Sequence, residues 1–150
     1  MKSVLQYMSK DLPLIKEELP LKEIITIFSN SHHSVLPVVN ARNRLIGHIN
    51  IEDIVYFFLF SHMDITFLEK MPSLIDFFSD TIENVDNISP IVFAKDVMRT
   101  NVFTIKETDS IIKAAIRMKK RNVHRLIVVD IHQTPVGFIS RNEICKALLI

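Results

Sequence analysis

Two short stretches place a polar residue three positions ahead of a carboxylate: Asn50-Ile-Glu-Asp53 and Ser140-Arg-Asn-Glu143. Each follows an apolar run that contains a glycine, Gly47 or Gly137, so each reads as the junction of a strand with a helix. The spacing has two readings. As Ser-x-x-Glu it is a capping box, in which side chain and backbone satisfy each other at a helix start. As a ligand site, the same helix start offers N–H groups and a hydroxyl or amide to a phosphate, while the carboxylate accepts hydrogen bonds from two ribose hydroxyls. Phosphates also need cations, and His124-Arg125 supply a pair at the start of an apolar run.

The other chemistry-bearing residues are less directed. Lys113, Arg117, Lys119, Lys120, Arg121 and Arg125 put six cations within 13 residues, which would steer anions or simply form a solvated helix face. Among His32, His33, His48, His62, His124 and His132 there is no Cys/His spacing of the zinc-site kind, and Cys145 sits in an apolar closing helix, so no metal site is predicted. Two glycines leave no phosphate-cradling loop, and no Gly-x-Ser-x-Gly occurs, which argues against an enzyme. A net charge of +1 provides no global field for nucleic acid or an acidic membrane. One cysteine, no basic-then-apolar amino terminus and a longest apolar run of seven residues, Ile54 to Phe60, predict a cytoplasmic protein with no disulfide and no membrane span.

The elements that must position these residues come from a repeat. Residues 8–54 laid on 98–144 agree at ten of 47 positions, among them Met8/Met98, Leu36/Leu126, Val38/Val128, Gly47/Gly137 and Ile49/Ile139. Chance would give roughly three. Leu21, Ile24, Ile25, Phe28 and Ile111, Ala114, Ala115, Met118 are matching helical stripes. The order in each copy is a short strand (12–16, 102–106), the striped helix, a buried strand (35–39, 125–129), a polar turn, a strand through the glycine and a closing helix. The fold class predicted is therefore α/β (α+β): two β-α-β-β-α units about a pseudo-twofold axis, packed sheet to sheet because about 50 residues are insecure alone. Repeat 1 covers 1–58 and repeat 2 covers 94–150. Residues 59–93 form a mainly helical insertion within a 57–93 stretch holding seven of the ten phenylalanines, either a cap on the repeat core or a partner surface.

With Val35-Leu-Pro-Val-Val-Asn40, His124-Arg-Leu-Ile-Val-Val-Asp130, the two glycine-led turns and Lys95-Asp-Val-Met-Arg-Thr100 in this order, about 110 residues resemble a tandem pair of CBS domains, the Bateman module. The resemblance implies a disc with two clefts that binds AMP, ADP or ATP as a regulatory ligand, with no catalytic cofactor, and signals to an effector protein. It implies a main cleft of Asn50, Asp53, Val102, Phe103, Thr104, His124 and Arg125, with the carboxylate on the ribose, the cations on phosphate across the twofold and the first-strand residues walling the base. It implies a second, weaker cleft of Leu12, Pro13, Ser34, Val35, Ser140 and Glu143, without a comparable cation. Asn50 and Glu143 depart from the family's Gly-x-x-Ser/Thr-x-x-Asp pattern. A homodimer is expected from the flat faces of the closing helices. The alternative function is a ligand-free dimerisation or scaffold module with vestigial clefts.

Overall fold

In the computed structural model, residues 1–60 and 92–149 are described. They run α1 (Val4–Tyr7), β1 (Ile15–Lys16), α2 (Leu21–Asn30), β2 (Val35–Val39), β3 (Leu45–Asn50), α3 (Ile51–Phe60), α4 (Ala94–Val97), β4 (Thr104–Lys106), α5 (Ile111–Arg121), β5 (Arg125–Val129), β6 (Pro135–Ser140) and α6 (Arg141–Ala147). The proposed insertion, with its phenylalanines from Phe67 to Phe78, lies outside the described residues apart from its margins.

Each repeat is a three-stranded sheet in which the middle strand pairs parallel with the first and antiparallel with the last: β1-β2-β3 and β4-β5-β6. The copies agree in detail. Both ladders shift register at the same place, Val38/Val39 and Val128/Val129, and both turns hold a left-handed residue, Asn43 and Gln133. Asn40 and Asp130 fold those turns by accepting backbone N–H groups two and four residues on. The striped helices lay Leu21, Ile24 and Phe28, or Ile111, Ala114 and Met118, on Leu36, Val38 and Ile49 or their counterparts. The first strands are shorter than the sequence suggested, because only Ile15–Lys16 and Thr104–Lys106 find ladder partners.

Neither α1 nor α4 was expected from the residue pattern, and these two helices join the molecule. Neither serves the repeat it precedes. Val4 N–H donates to Asp109 O and Leu5 N–H to Glu107 O, while Ala94 N–H donates to Leu19 O and Lys95 N–H to Glu17 O. The bridges Ser3 with Ser110 and Ser9 with Phe138 recur as Pro20 with Phe93 and His48 with Arg99. Every one of these contacts returns when 90 is added to one partner and subtracted from the other. That reciprocity is the signature of a twofold interface, here within one chain. Val4, wholly buried, belongs to the second core and Ala94 to the first.

The glycines mark where the exchanged segments cross. A Cβ on Gly47 would lie 2.7 Å from Arg99 O and 2.7 Å from Met98 Sδ, and one on Gly137 would lie 2.3 Å from Ser9 O. Backbone approach, and no special φ, is what demands glycine at both sites. The cores thus lie between each sheet and its helices, and the opposite sheet faces look at each other across the axis. No helix among the described residues is long and apolar enough to cross a membrane.

Candidate functional site

Between those facing sheets lies a cavity of about 430 Å³. One side is built by Ser34 just ahead of β2, by β2, β3 and the start of α3, which contribute Val35, His48, Asn50 and Glu52; the other is built by Val102 and Phe103 ahead of β4, by His124 just ahead of β5 and by Arg125 and Ile127 on β5. Alternation along a strand explains the selection. Leu36 and Ile49 point into the core, so their neighbours Val35, His48 and Asn50 point into the cavity. Apolar walls with a few converging polar groups, at this size, are the usual make-up of a small-molecule site.

The residues singled out in the sequence are distributed as follows. Asn50, Val102, Phe103, His124 and Arg125 line this cavity, and Ser34 and Val35, assigned to the second cleft, line it too. Thr104 does not; its carbonyl accepts from Arg117 Nη1 at 2.5 Å inside the repeat. Asp53 stands behind the lining. Its carboxylate takes Arg99 Nε at 3.0 and 2.9 Å and Arg99 Nη2 at 2.6 Å, and also accepts from Asn50 N–H at 3.2 Å. A two-pronged guanidinium clasp of this kind holds a carboxylate tightly. Arg99 arrives on the exchanged segment of repeat 2, where its backbone pairs with His48 in both directions at 2.8 and 2.9 Å.

His48 is the polar anomaly of the cavity wall. Its Nδ1 is buried and has no hydrogen-bond partner. Burial, reinforced by the Arg99 charge and only partly offset by Asp53, lowers its pKa from the ordinary 6.5, so the ring favours its neutral form.

The second cleft is built differently. Phe138, the counterpart of His48, lies beneath the Arg125 guanidinium at 4.3 Å and meets the edge of His33 at 6.2 Å between ring centres. Leu12 and Pro13 line a separate cavity of about 520 Å³ with Lys10, Asp11, Asn30, Ser31, His32 and His33. Ser140 and Glu143 close on each other as a capping box: Ser140 N–H donates to the carboxylate at 2.7 Å, the Ser140 hydroxyl donates to it as well, and Asn142 N–H reaches that hydroxyl at 3.2 Å. Burial opposes ionisation of Glu143, but those bonds outweigh it and hold its carboxyl below the usual value.

Sequence reasoning missed His48, Glu52, Asn122, Val123 and Ile127 in the first cavity, the Arg99 clasp, and a cluster of Asp11, His32 and His33 whose ligand atoms lie within 4.8 Å of one another. The adjacent His32-His33 pair was visible, but its carboxylate comes from 21 positions earlier. Of the six cations in the basic run, Lys113 bonds Asp109 at 2.9 Å, Arg117 holds the Thr104 carbonyl, and Arg121 lies over Phe103 at 5.6 Å. Those three are engaged by groups of their own repeat rather than left for an anion from outside.

Two sheet-and-helix repeats that exchange their leading segments about an internal twofold, with a cavity where the sheets face, define a tandem-repeat α/β protein whose cavity belongs to both halves. Residues 3–59 and 94–150 each match the CBS domain, and the chain belongs to the CBS domain family as a tandem pair. It is 31% identical over 93% of its length to an uncharacterized protein of Methanocaldococcus jannaschii, of which it spans 37%. Among solved structures it resembles CBSX2 of Arabidopsis thaliana in complex with AMP, at 18% identity and a TM-score of 0.70, covering 99% of this chain and 97% of that one. It also resembles a CBS domain pair in complex with 5′-methylthioadenosine and S-adenosyl-L-methionine, at 20% identity and a TM-score of 0.67, covering 99% and 96%.

Proposed function

We propose that this chain is a regulatory module that takes an adenine nucleotide (AMP, ADP or ATP) in the first cavity and reports its presence to an effector protein. One observation carries the reading. An apolar wall of Val102, Phe103 and Ile127 shares a single cavity with the cationic and hydrogen-bonding side chains of Arg125 and His124, so a flat base and an anionic tail would each find a matching surface. The adenosyl ligands of CBSX2 and the methylthioadenosine-bound pair agree with this choice. Asp53 remains the proposed ribose partner, on condition that it turns from Arg99; Asn50 is already in the wall. The second cleft, with Leu12, Pro13, Ser140 and Glu143, is proposed as a weaker site, since Glu143 is engaged by Ser140.

The test is thermal melting of the full chain with AMP, ADP, ATP, adenosine, 5′-methylthioadenosine and S-adenosyl-L-methionine. A ligand at 100 times its Kd stabilises the folded state by about 2.7 kcal/mol. For a chain of this length that is a rise of roughly 5–10 °C. The nucleotides should give it and adenosine should give little. Asp53→Ala should weaken every nucleotide, Arg125→Ala should erase the preference for phosphorylated ligands, and Glu143→Ala should do less than either. Equal shifts from the two sulfur-containing ligands would reassign the tail's chemistry. Silence from all six at millimolar concentration would hand the molecule to the second reading, a ligand-free scaffold, which the closure of Asp53 on Arg99 favours.

The same reading includes a homodimer. Of the expected faces, the closing helix α3 exposes Ile51 and Val55 at 37 and 44%; α5, which was not part of that expectation, exposes Ile112 and Ile116 at 71 and 61%, one turn apart. Pairing such faces would bury at least roughly 1,200 Å² in total. Sedimentation at tens of micromolar should show the dimer, and Ile112→Glu with Ile116→Glu should shift it at least tenfold toward monomer if α5 takes part; a wild-type chain that sediments only as monomer removes the dimer.

A further inference from the structure

We propose that Asp11, His32 and His33 form a binding site for a divalent transition-metal ion of the zinc type, open on one side to the cavity beside Leu12 and Pro13. Asp11 comes from the segment ahead of β1, and the two histidines from the turn between α2 and β2. His32 Nε2 lies 3.4 Å and His33 Nε2 3.5 Å from the same Asp11 oxygen, Oδ2, and all three donors fall within 4.8 Å of one another. A tetrahedral ion with bonds of about 2.0–2.2 Å sets its nitrogen and oxygen donors about 3.3–3.6 Å apart. The stacked imidazoles, 4.5 Å between centres, already bring both nitrogens to that spacing from the carboxylate.

The donor set selects the ion. Two imidazoles with one carboxylate suit zinc and its neighbours, whereas magnesium and calcium require oxygen throughout. Three protein donors leave a fourth position, and the adjoining cavity of about 520 Å³ gives it access to water or a ligand group. Rigidity is graded usefully: the His33 side chain is 4% exposed and anchored against Phe138, while those of His32 and Asp11 are 81 and 67% exposed. The fold itself does not require this trio. In the second repeat, whose sheet has the same register, the equivalent positions hold Asn101, Asn122 and Val123, and there the helix runs one residue further and ends on a left-handed Asn122. The geometry therefore belongs to this repeat alone, and a bound ion would tie the segment before β1 to the end of α2.

The experiment uses the tag-free full chain, stripped with a chelator and titrated with zinc chloride against a chromophoric competitor, with cobalt(II) as a spectroscopic substitute. One zinc per chain, a melting temperature raised by zinc and not by magnesium, and a tetrahedral cobalt absorption band are the expected results. Asp11→Asn and His32→Asn change exposed side chains to the type found in the twin repeat. Each should weaken zinc by at least the roughly 10–100-fold typical of changes one shell further out, and abolish the cobalt band, with the melting of the metal-free chain unchanged. His33→Val should do the same to binding. Zinc binding that survives both exposed substitutions, or the absence of a stoichiometric zinc site in the wild type, overturns the proposal.

Discussion

His48 and Phe138 occupy the same place in the two repeats, and the difference between them makes one cleft wall titratable. Because burial lowers the His48 pKa below 6.5 in the folded chain, the unfolded chain binds a proton that the folded chain refuses in the interval between the two values. Stability is then complete above pH 6.5 and declines as the pH falls toward the folded-state pKa, below which this residue adds no further slope. One proton can tilt stability by at most about 1.4 kcal/mol per pH unit. His48→Phe, which copies the twin residue, should flatten the melting-temperature profile of the full chain between pH 7 and 5. An unchanged slope in the variant would place the effect elsewhere. Glu143 and Asp109 act in the same direction at lower pH, since both are held below their ordinary values and lose their hydrogen bonds only when protonated. For Asp109, as for Glu143, burial works against ionisation and is outweighed, here chiefly by the Lys113 bond.

At the level of elements, the decisive contacts are the crossings of α1 and α4 over the partner repeat. The segment before α1's successor strand is stitched to β6 by two bonds between Ser9 and Phe138, both 2.9 Å, and the crossing at Gly137 leaves no room for a methyl group. Gly137→Ala and Gly47→Ala should each cost about 1–3 kcal/mol, in line with overpacking elsewhere. The first should cost more, because its Cβ would press on a carbonyl oxygen at 2.3 Å against 2.7 Å for the second. Urea denaturation measures both; equal or negligible losses would mean that the crossing strands can move aside. These crossings also show what a sequence can and cannot disclose. The stripes of α2 and α5, the buried strands β2 and β5 and the repeat itself were readable because their signals are periodic over many residues. A four-residue helix carries no period, and nothing in Val4–Tyr7 says that its partners are Glu107 and Asp109, in the other repeat. The site divides the same way. Asn50, Val102, Phe103, His124 and Arg125 line the first cavity as strand ends must, whereas the Asp53–Arg99 clasp and the Asp11, His32, His33 cluster join residues that only the exchange or a loop brings together.

On the scale of the whole molecule, the exchange removes the independence that two repeats would otherwise have. The first core is incomplete without Ala94, Val97 and Met98, and the second without Val4, Tyr7 and Met8. A unit that lends part of its core to its neighbour cannot unfold without exposing that neighbour, so the two halves should melt as one. Leu36→Ala removes a wholly buried side chain from the first core, at a cost of about 2–5 kcal/mol. Native-state hydrogen exchange should then show protection falling by the same free energy in β5, which Leu36 does not belong to, as in β2. Leu126→Ala should act reciprocally on β2. If each substitution instead weakened only its own sheet, the repeats would be separate folding units. The cavity would then sit at a loose seam, and a ligand there would be expected to draw the two halves together. With a single cooperative unit the cavity is preformed, and a ligand acts by stabilising a molecule that is already joined. The exchange experiment therefore decides between docking and stiffening as the physical form of any signal this pair transmits.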